Sequence, residues 1–429
     1  MAATMASSTP VAPRMRVRDY FTINIYWFAI SYLWNSLGPI LLPTLVTQLV
    51  PETQKGSALG LVSALGLILA VIVQPLAGTL SDHRTTRWGK RRPFIVGGTL
   101  GDVIFLLALA FAPTYPWLLV SYLLLQISSN IAHGPYQSYI PGLVPERKRG
   151  AVTGVKQFIE IAGIIVTSLA TGYLVGQGQI VLAFIAIIAM LLLTMAITAL
   201  FVSEVPFEGM PRQADVTAAR TDEFDFRFAV RALFYSRDFG LWLISRLLIL
   251  IGAGLVRNYA LFFFHDVLRL SNPAAEVGNL LAVIAVAIAL VSYPAGYLSD
   301  RWGRKGFVIA SGILGAIGSL LMMNAVTLTQ VLIYGGIIGI SIGIFLSANW
   351  AWATDLVPAE SSGRYLGISN LATAGSGVLA GFGGVALDYF NAQAPNSGYT
   401  ILYLGAAICY VLGTLVVLSI PDRKRSGKN

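Results

Sequence analysis

Long apolar runs separated by short polar segments follow one another along almost the entire chain. A helix that crosses a bilayer needs about 20 mostly apolar residues, and twelve such runs can be counted. They lie at approximately 20–46, 56–81, 92–112, 115–140, 150–175, 179–203, 239–265, 274–299, 305–327, 329–353, 362–388 and 397–420. The pattern predicts an all-α membrane protein with twelve transmembrane helices.

One longer polar stretch, at 204–238, divides the twelve runs into two groups of six. It contains many acidic and basic side chains, which favours a linker outside the membrane. The sequence thus predicts a first six-helix bundle at 20–203 and a second at 239–420. The short polar ends, 1–19 and 421–429, are predicted to be tails.

The composition is that of a membrane protein rather than a soluble enzyme. The apolar residues AVILMFWYC make up 56% of the chain and charged residues 11%, whereas soluble domains carry about 25% charged residues. With a single cysteine, Cys409, and three scattered histidines, we expect neither a disulfide nor a metal site. The sequence contains no recognisable nucleophile–base pair or nucleotide-binding loop. We therefore expect neither an enzyme nor an ATP-driven pump, and no cofactor.

The positive charges are distributed unevenly over the predicted loops. All but five of the 29 Lys and Arg residues fall in the tails or in the loops on the same side as the tails. The exceptions are Lys55 and Arg269 on the opposite side, and Lys156, Arg246 and Arg257 within apolar runs. The positive-inside rule then predicts two cytoplasmic termini. The expected location is the cell (inner) membrane. The formal charge of +9 follows from this topology, so no nucleic-acid partner is expected.

Two short motifs occur once in each half of the chain. Gly-Thr-Leu-Ser-Asp at 78–82 returns as Gly-Tyr-Leu-Ser-Asp at 296–300, and Gly-Leu-Val-Pro at 142–145 returns as Asp-Leu-Val-Pro at 355–358. The two separations, 218 and 213 residues, are nearly equal. Such self-similarity indicates two related halves in the same orientation. Parallel repeats are typical of transporters that rock about a site near the bilayer midplane.

The loops at the first motif resemble those of a known transporter family. The stretch 296–305, Gly-Tyr-Leu-Ser-Asp-Arg-Trp-Gly-Arg-Lys, resembles the signature loop of the major facilitator superfamily. The first copy, 78–93, has four additional residues and resembles the glycoside–pentoside–hexuronide symporters, in particular their sucrose–proton branch. Asn130, followed by Gly-Pro at 134–135, is also similar to that branch. The resemblance implies the major facilitator fold and transport by alternating access.

The signature loops are candidate gates. Glycine lets helix ends pack closely, and an aspartate at a helix end can cap a facing helix or pair with Arg or Lys. In the resembling family, these contacts close the cytoplasmic side when the cavity faces outward. The basic residues could instead serve only to set the topology. The branch tends to have an acidic residue where this chain has Gly142, so the two gates are not expected to be symmetric. The candidate gating residues are Gly78, Asp82, Arg87, Gly89, Arg91, Gly296, Asp300, Arg301, Gly303, Arg304, Asp355 and Arg364.

Polar residues line one face of the predicted fourth helix. Gln126, Asn130, His133 and Gln137 are spaced four, three and four residues apart, which places them on the same helical face. Polar side chains that faced lipid would be costly, so we expect this stripe to line a water-filled cavity. The alternative is hydrogen bonding between helices without contact to substrate. We take Asn130, His133 and Gln137 as candidate substrate-binding residues.

Four ionisable residues within spans are candidates for proton coupling or substrate binding. Lys156 and Glu160 are four residues apart and can pair on the fifth helix. In one interpretation, Glu160 takes up a proton and releases Lys156 to a substrate hydroxyl; in the other, the pair is only a structural bridge. His133 is a second candidate proton carrier because its intrinsic pKa is near neutrality. Asp102 is the third, although a structural role is favoured for it because third helices in the resembling family lie outside the cavity.

Further amides, arginines and aromatic rings are candidates for sugar recognition. Sugar hydroxyls need paired polar partners, and the C–H face of a sugar stacks on aromatic rings. Trp and Tyr could instead belong to packing or to interfacial belts. The additional candidate substrate-binding residues are Asn35, Tyr32, Arg257, Asn258, Asn349 and Trp350.

These patterns together predict a secondary active transporter, with a proton-coupled sugar or glycoside symporter as the favoured function. A uniporter or antiporter of another small polar solute is the first alternative. A non-transporting assembly factor or sensor on the same fold is the second, although a static scaffold needs no matched gates in its two halves. The expected partners are a small-molecule substrate, a proton (or sodium) and the lipid bilayer, and a monomer is the default expectation.

Overall fold

The computed structural model describes residues 14–83, 86–205, 237–356 and 362–421, without the side chains of 354 and 362–368. The described residues form helices and connecting turns, with one isolated β-bridge between Thr86 and Gly89. The predicted all-α class is therefore confirmed. Most of the predicted linker, 206–236, lies outside the described residues.

Twelve long helical segments follow the predicted order. The first, α1, spans Val17–Leu49 and combines the helices Val17–Thr22, Ile25–Ser36 and Leu42–Leu49 with a π-helical turn at Leu37–Leu41. The others in the first half are α2 (Lys55–His83), α3 (Arg92–Ala110), α4 (Tyr115–Gln137), α5 (Glu146–Gly176) and α6 (Ile180–Phe201). The second half contains α7 (Arg237–Asn258), α8 (Pro273–Trp302), α9 (Arg304–Met323), α10 (Leu328–Leu356), α11 (Ser362–Gly381 continued by Gly383–Gln393) and α12 (Ser397–Leu418).

Eleven of these segments are long and apolar enough to cross a membrane. The exception is α4, which has 23 residues but falls short in hydropathy. The polar stripe explains this difference, because Gln126, Asn130, His133 and Gln137 replace apolar side chains on one of its faces. The helix is nevertheless embedded in the bundle, where it packs against α2 and α3.

Two of the predicted apolar runs in the second half are interrupted in the structure. The run at 239–265 breaks at Tyr259, between α7 and a short helix, Ala260–Asp266. The Tyr259 hydroxyl donates a hydrogen bond to the carbonyl of Gly381 (2.6 Å), next to the break in α11 at Phe382. The two breaks therefore face each other and are stabilised by a contact between helices.

The helices of each half pack mainly on one another, and the halves meet along two helix pairs. α2 packs against α11, and α5 packs against α8. The closest approaches need glycine: a Cβ atom on Gly60 would collide with the carbonyl oxygen of Gly381, and one on Gly278 would collide with that of Ser168. Small residues of this kind let membrane helices approach closely.

The contacts between the halves are concentrated at one end of the molecule. The glycine contacts lie in the parts of α2 and α8 near the first residues of these helices, and we call this the sealed end. The opposite end, where α1 and α7 begin, is called the tail end. Between described residues of the two halves, all hydrogen bonds and ion pairs lie toward the sealed end. Among the described residues, the bonds that hold the two halves together are therefore found toward the sealed end.

Candidate functional site

A polar latch joins the two halves at the sealed end. The Lys55 ammonium is only 3% exposed and lies 2.7 Å from a carboxylate oxygen of Asp266. The Tyr399 hydroxyl also donates to Asp266. On the neighbouring helices, the backbone N–H groups of Gly56 and Ser57 donate to the Asp388 carboxylate (2.9 and 2.7 Å). This carboxylate binds the first turn of α2, where unpaired N–H groups and the helix dipole favour a negative charge.

The electrostatics of Asp266 keep the latch charged. Burial alone would raise the pKa of this carboxyl, but hydrogen bonds from His265, Lys55 and Tyr399 lower the pKa below its ordinary value. Glu52, His265 and Asp266 also offer three ligand atoms within 4.8 Å of one another. Because the oxygens of Asp266 already accept bonds from Lys55 and Tyr399, this group serves as a hydrogen-bond acceptor rather than as a free metal site.

The sequence analysis missed this latch. It noted Lys55 only as a rare positive charge on the side opposite the tails, and it did not single out Asp266 or Asp388. A signal was present, since both acids lie near the ends of spans on the same side as Lys55.

Several of the predicted binding residues of the first half converge on one cluster. The Lys156 ammonium lies 3.0 Å from Glu160 and 3.8 Å from the centre of the Trp27 ring. The Trp27 ring packs edge-on against His133, with 5.1 Å between the ring centres. His133 in turn hydrogen-bonds to Gln137 (3.0 Å). Residues from α1, α4 and α5 thus form a single polar and aromatic cluster, of which only Trp27 was not predicted.

This cluster is partly exposed at the surface of the structure. The side chains of Lys156 and Glu160 are 23% and 20% exposed, and Gln137 is exposed. The cation–π contact with Trp27 adds a second favourable interaction to Lys156, beyond its pairing with Glu160.

Three other predicted residues lie away from this cluster. Asn130 is 4% exposed and its amide donates within α4, to the backbone carbonyl and the side chain of Gln126 (2.8 and 3.3 Å). Tyr32 is 3% exposed and packs in the apolar core. Asp102 is fully buried and accepts a hydrogen bond from the Ser128 hydroxyl (2.5 Å) across the α3–α4 interface.

The second half contains a cluster around Arg246 on α7. Its guanidinium donates to Asn349 Oδ1 (2.7 Å) and to Thr373 Oγ1 (3.1 and 3.3 Å). Three aromatic rings surround the guanidinium, whose central carbon lies 5.7 Å from the ring centre of Trp242, 5.9 Å from that of Phe345 and 5.7 Å from that of Trp350. The predicted residues Asn349 and Trp350 are therefore brought together by an arginine that the sequence analysis noted but did not place in the site.

A second arginine on α7 connects the two halves. Arg257 donates to Asn35 Oδ1 on α1 (2.7 Å). Both were predicted as substrate-binding residues, and the structure brings them together. Asn258 is the next residue and the last of α7, just before the break at Tyr259.

Each signature loop is bonded to its own half. In the first half, Arg91 pairs with Asp82 (3.5 Å) and lies over the Tyr139 ring. Gly78 lies beside Gly134 of α4, so it supports close packing of α2 on α4.

The corresponding network of the second half is better connected. Arg304 pairs with both Asp300 (3.0 Å) and Asp355 (2.7 Å), while Arg301 lies over the Tyr297 ring (4.3 Å). Gly296 approaches α10 at Ser347.

The difference between the halves follows from the residues that face the loop arginines. A Cβ atom on Gly142 would lie 2.7 Å from the Arg91 guanidinium, so this is the place where a second carboxylate could bind Arg91. The second half has Asp355 for that purpose, and the expected asymmetry is visible in the contacts. Two other candidate gating residues take no part in these ion pairs as described. Arg87 is exposed beside the Trp88 ring, and the Arg364 side chain lies outside the described residues.

Glu204 holds the first signature loop in place. Its carboxylate accepts hydrogen bonds from the backbone N–H groups of Lys90 (2.5 Å), Arg91 (3.1 Å) and Arg92 (2.7 Å), at the start of α3. Gly89 precedes this turn with a φ of +112°, and a Cβ atom there would lie 2.5 Å from the Glu204 carboxylate. Gly303 likewise has a positive φ of +101°. The sequence analysis had assigned Glu204 to the linker, because a cap contributed from a distant segment leaves no local pattern.

Comparisons with known proteins place this architecture among transporters. The family model described as MFS/sugar transport protein matches residues 55–418. The facilitated glucose transporter member 12 of solute carrier family 2 from Danio rerio is 30% identical over 39% of this chain, but the match spans only 26% of that relative's length. The tetracycline resistance protein, class H, of Pasteurella multocida is 26% identical over 66% of this chain and 67% of the relative.

A solved structure shares the fold over nearly the whole chain. The crystal structure of a D-xylose–proton symporter superimposes with a TM-score of 0.71 at 17% identity, and the match covers 95% of this chain and 99% of the other. At this identity the likeness concerns the fold, and the substrate has to be argued from the site.

Proposed function

This chain belongs to the MFS/sugar transport protein family of integral, multi-pass membrane transporters, and we propose that it is a proton-coupled sugar or glycoside symporter that works by alternating access. Its substrate is a small polar solute, its coupling ion is the proton, and it works as a monomer in the cell (inner) membrane. The observation that carries the proposal is the pair of Lys156 and Glu160 in a partly exposed cluster with Trp27 and His133.

The arrangement of contacts between the halves supports alternating access. The halves are latched at the sealed end, whereas the described residues form no hydrogen bond or ion pair between the halves at the tail end. Transporters with parallel repeats rock between two such states around a central site. By the distribution of positive residues, the tail end is the cytoplasmic end, so this conformation corresponds to the inward-facing state.

The Lys156–Glu160 pair supports proton coupling. With Glu160 ionised, the ammonium of Lys156 is held by the carboxylate (3.0 Å) and by the Trp27 ring. Protonation of Glu160 removes that attraction and frees Lys156 to donate to a sugar hydroxyl. Trp27 offers an aromatic face for the C–H side of the same sugar. Binding of proton and sugar would then favour each other, as linkage requires.

A second candidate function is proton antiport of an exported solute. It is favoured by the similarity to the tetracycline resistance protein, which covers two thirds of both chains. The same Glu160 would serve this mechanism, but the proton would then compete with substrate rather than accompany it.

The test is solute uptake by proteoliposomes with and without an inward pH gradient, in sodium-free buffer. Glu160→Gln is compared with Glu146→Gln, a matched control on the same helix whose side chain is 88% exposed. We expect accumulation that needs the gradient, is lost in Glu160→Gln and persists in Glu146→Gln. Uptake that only equilibrates would indicate a uniporter, and uptake driven by an outward proton gradient would indicate the antiporter.

A further inference from the structure

The three cations within the membrane spans have unequal partners. Lys156 has Glu160 at 3.0 Å. Arg246 is 5% exposed, yet no carboxylate of the described residues lies within ion-pair distance of it. Arg257 bonds only to the neutral amide of Asn35 among the described residues. These three cations therefore outnumber the carboxylates that pair with them among the described residues.

Arg246 also has unused hydrogen-bond donors. A guanidinium carries five N–H bonds, and Arg246 uses three of them, one to Asn349 and two to Thr373. The neighbouring Asn349 is fully buried, and its Nδ2 has no partner among the described residues. Two N–H bonds of an arginine and the N–H bonds of an amide thus lie together without an acceptor.

A buried cation without a counter-ion is costly in a membrane, so it is retained where function requires it. The rings of Trp242, Phe345 and Trp350 reduce this cost through cation–π contacts. However, aromatic rings accept neither of the two free N–H bonds well. Trp350 is 40% exposed, so the cluster around Arg246 is not closed off on the side of this ring.

We propose that the transported solute carries an anionic group, a carboxylate or a phosphate, which binds Arg246 and Asn349. This inference rests on the proposed function and narrows its substrate to acidic sugars and related organic anions. Planar guanidinium groups bind carboxylate and phosphate oxygens in pairs with charge-assisted hydrogen bonds. The anion would supply both the missing acceptor for Asn349 Nδ2 and the missing counter-charge for Arg246, which a neutral sugar cannot do.

The experiment compares solutes that share a skeleton and differ in charge. Purified full-length protein is titrated with glucose, glucuronate and glucose 6-phosphate up to about 10 mM, where a Kd of about 1 mM would give near saturation. Binding is followed by the fluorescence of Trp242 and Trp350, each 5.7 Å from the guanidinium, and by the melting temperature. We expect glucuronate or glucose 6-phosphate to bind about tenfold or more tightly than glucose. Which of the two binds distinguishes a carboxylate from a phosphate.

Variants of Arg246 test whether the preference arises at this site. Arg246→Gln should bring the affinity for the anion down to that for glucose, whereas Arg246→Lys should keep a weakened preference because it keeps the charge. Arg269→Gln, which removes an exposed arginine at the sealed end, is the control for a general loss of positive charge. If Arg246→Gln does not fold, the inference is tested by the weaker anion preference that is expected of Arg246→Lys relative to the wild type.

The outcomes separate this inference from the proposed function. It is overturned if glucose binds as tightly as both anions, if neither anion binds up to about 10 mM, or if Arg246→Gln keeps the anion preference. Gradient-driven uptake of neutral sugars without anion preference would leave the proposed symport standing while the inference falls. Anion binding that depends on Arg246, without any uptake, would support the anion site at Arg246 but contradict the proposal that the bound solute is transported.

Discussion

Removal of the Lys55 side-chain charge should release the latch at the sealed end. The substitution Lys55→Met keeps an apolar chain of similar length but deprives Asp266 of the ammonium at 2.7 Å. The contacts of Asp388 with Gly56 and Ser57 remain. We therefore expect a shift in the balance between the two conformations rather than a loss of the fold.

The size of the shift follows from the environment of the pair. Removing one partner of a buried ion pair costs about 3–5 kcal/mol, but Asp266 is 14% exposed and keeps its bonds from Tyr399 and His265. A hydrogen bond between charged groups contributes about 2 kcal/mol in that setting, which corresponds to about thirtyfold in the equilibrium. A ratio of about 1:99 between the open and closed sealed end would thus become about 1:3.

The assay measures the distance between two spin labels across the sealed end. Thr53 and Ala392 line the groove there on opposite halves, and both are replaced by cysteine after Cys409→Ser. In Lys55→Met the long-distance population should rise strongly, and the charge exchange Lys55→Asp with Asp266→Lys should restore most of the closed population. An unchanged distance distribution in Lys55→Met would refute the reasoning that this pair holds the sealed end closed.

Three further predictions follow. Gly60→Val should keep the sealed end open and stop transport, because even a Cβ atom at this position collides with the Gly381 carbonyl. The spin-label distance measures closure and proteoliposome uptake measures transport. Normal closure of the sealed end in this variant would contradict the prediction. Glu204→Gln should weaken the start of α3 and lower the free energy of unfolding by about 1 kcal/mol, as measured by thermal denaturation against Glu146→Gln. Hydrogen bonds lower the pKa of Asp266, so the latch should be fully present above the ordinary aspartate pKa of about 4 and lost only as the pH falls through the lowered pKa. We expect equal distances between the spin labels at pH 8 and pH 5. Opening of the sealed end between these two pH values would contradict this prediction.

The sequence predicts the helices well because their pattern is local. The run at 305–327 corresponds to Arg304–Met323, and the run at 397–420 to Ser397–Leu418. The break at Tyr259 was missed because apolar residues continue through it without interruption. It is stabilised by a hydrogen bond to Gly381, 122 residues away, and no local pattern contains that information.

The same distinction applies to the candidate site. Helical spacing was sufficient to predict the contact of Lys156 with Glu160, which are four residues apart. It also placed His133 and Gln137 on one helical face, where the structure shows a hydrogen bond between them. Spacing alone could not exclude Asn130, whose amide turns back along its own helix. Nor could it supply the partners that come from other helices: Trp27 for Lys156, or Thr373 for Arg246.

The most direct test of proton-coupled symport is the proton movement that the solute itself causes. Proteoliposomes are prepared without a pH gradient and without sodium, and a pH indicator follows the outer medium while acidic and neutral sugars are added in turn. Symport predicts that a transported sugar makes the outer medium more alkaline as protons enter with it, and that Glu160→Gln abolishes the signal. Acidification would indicate antiport, and solute uptake without any pH change would contradict the coupling mechanism proposed for Lys156 and Glu160.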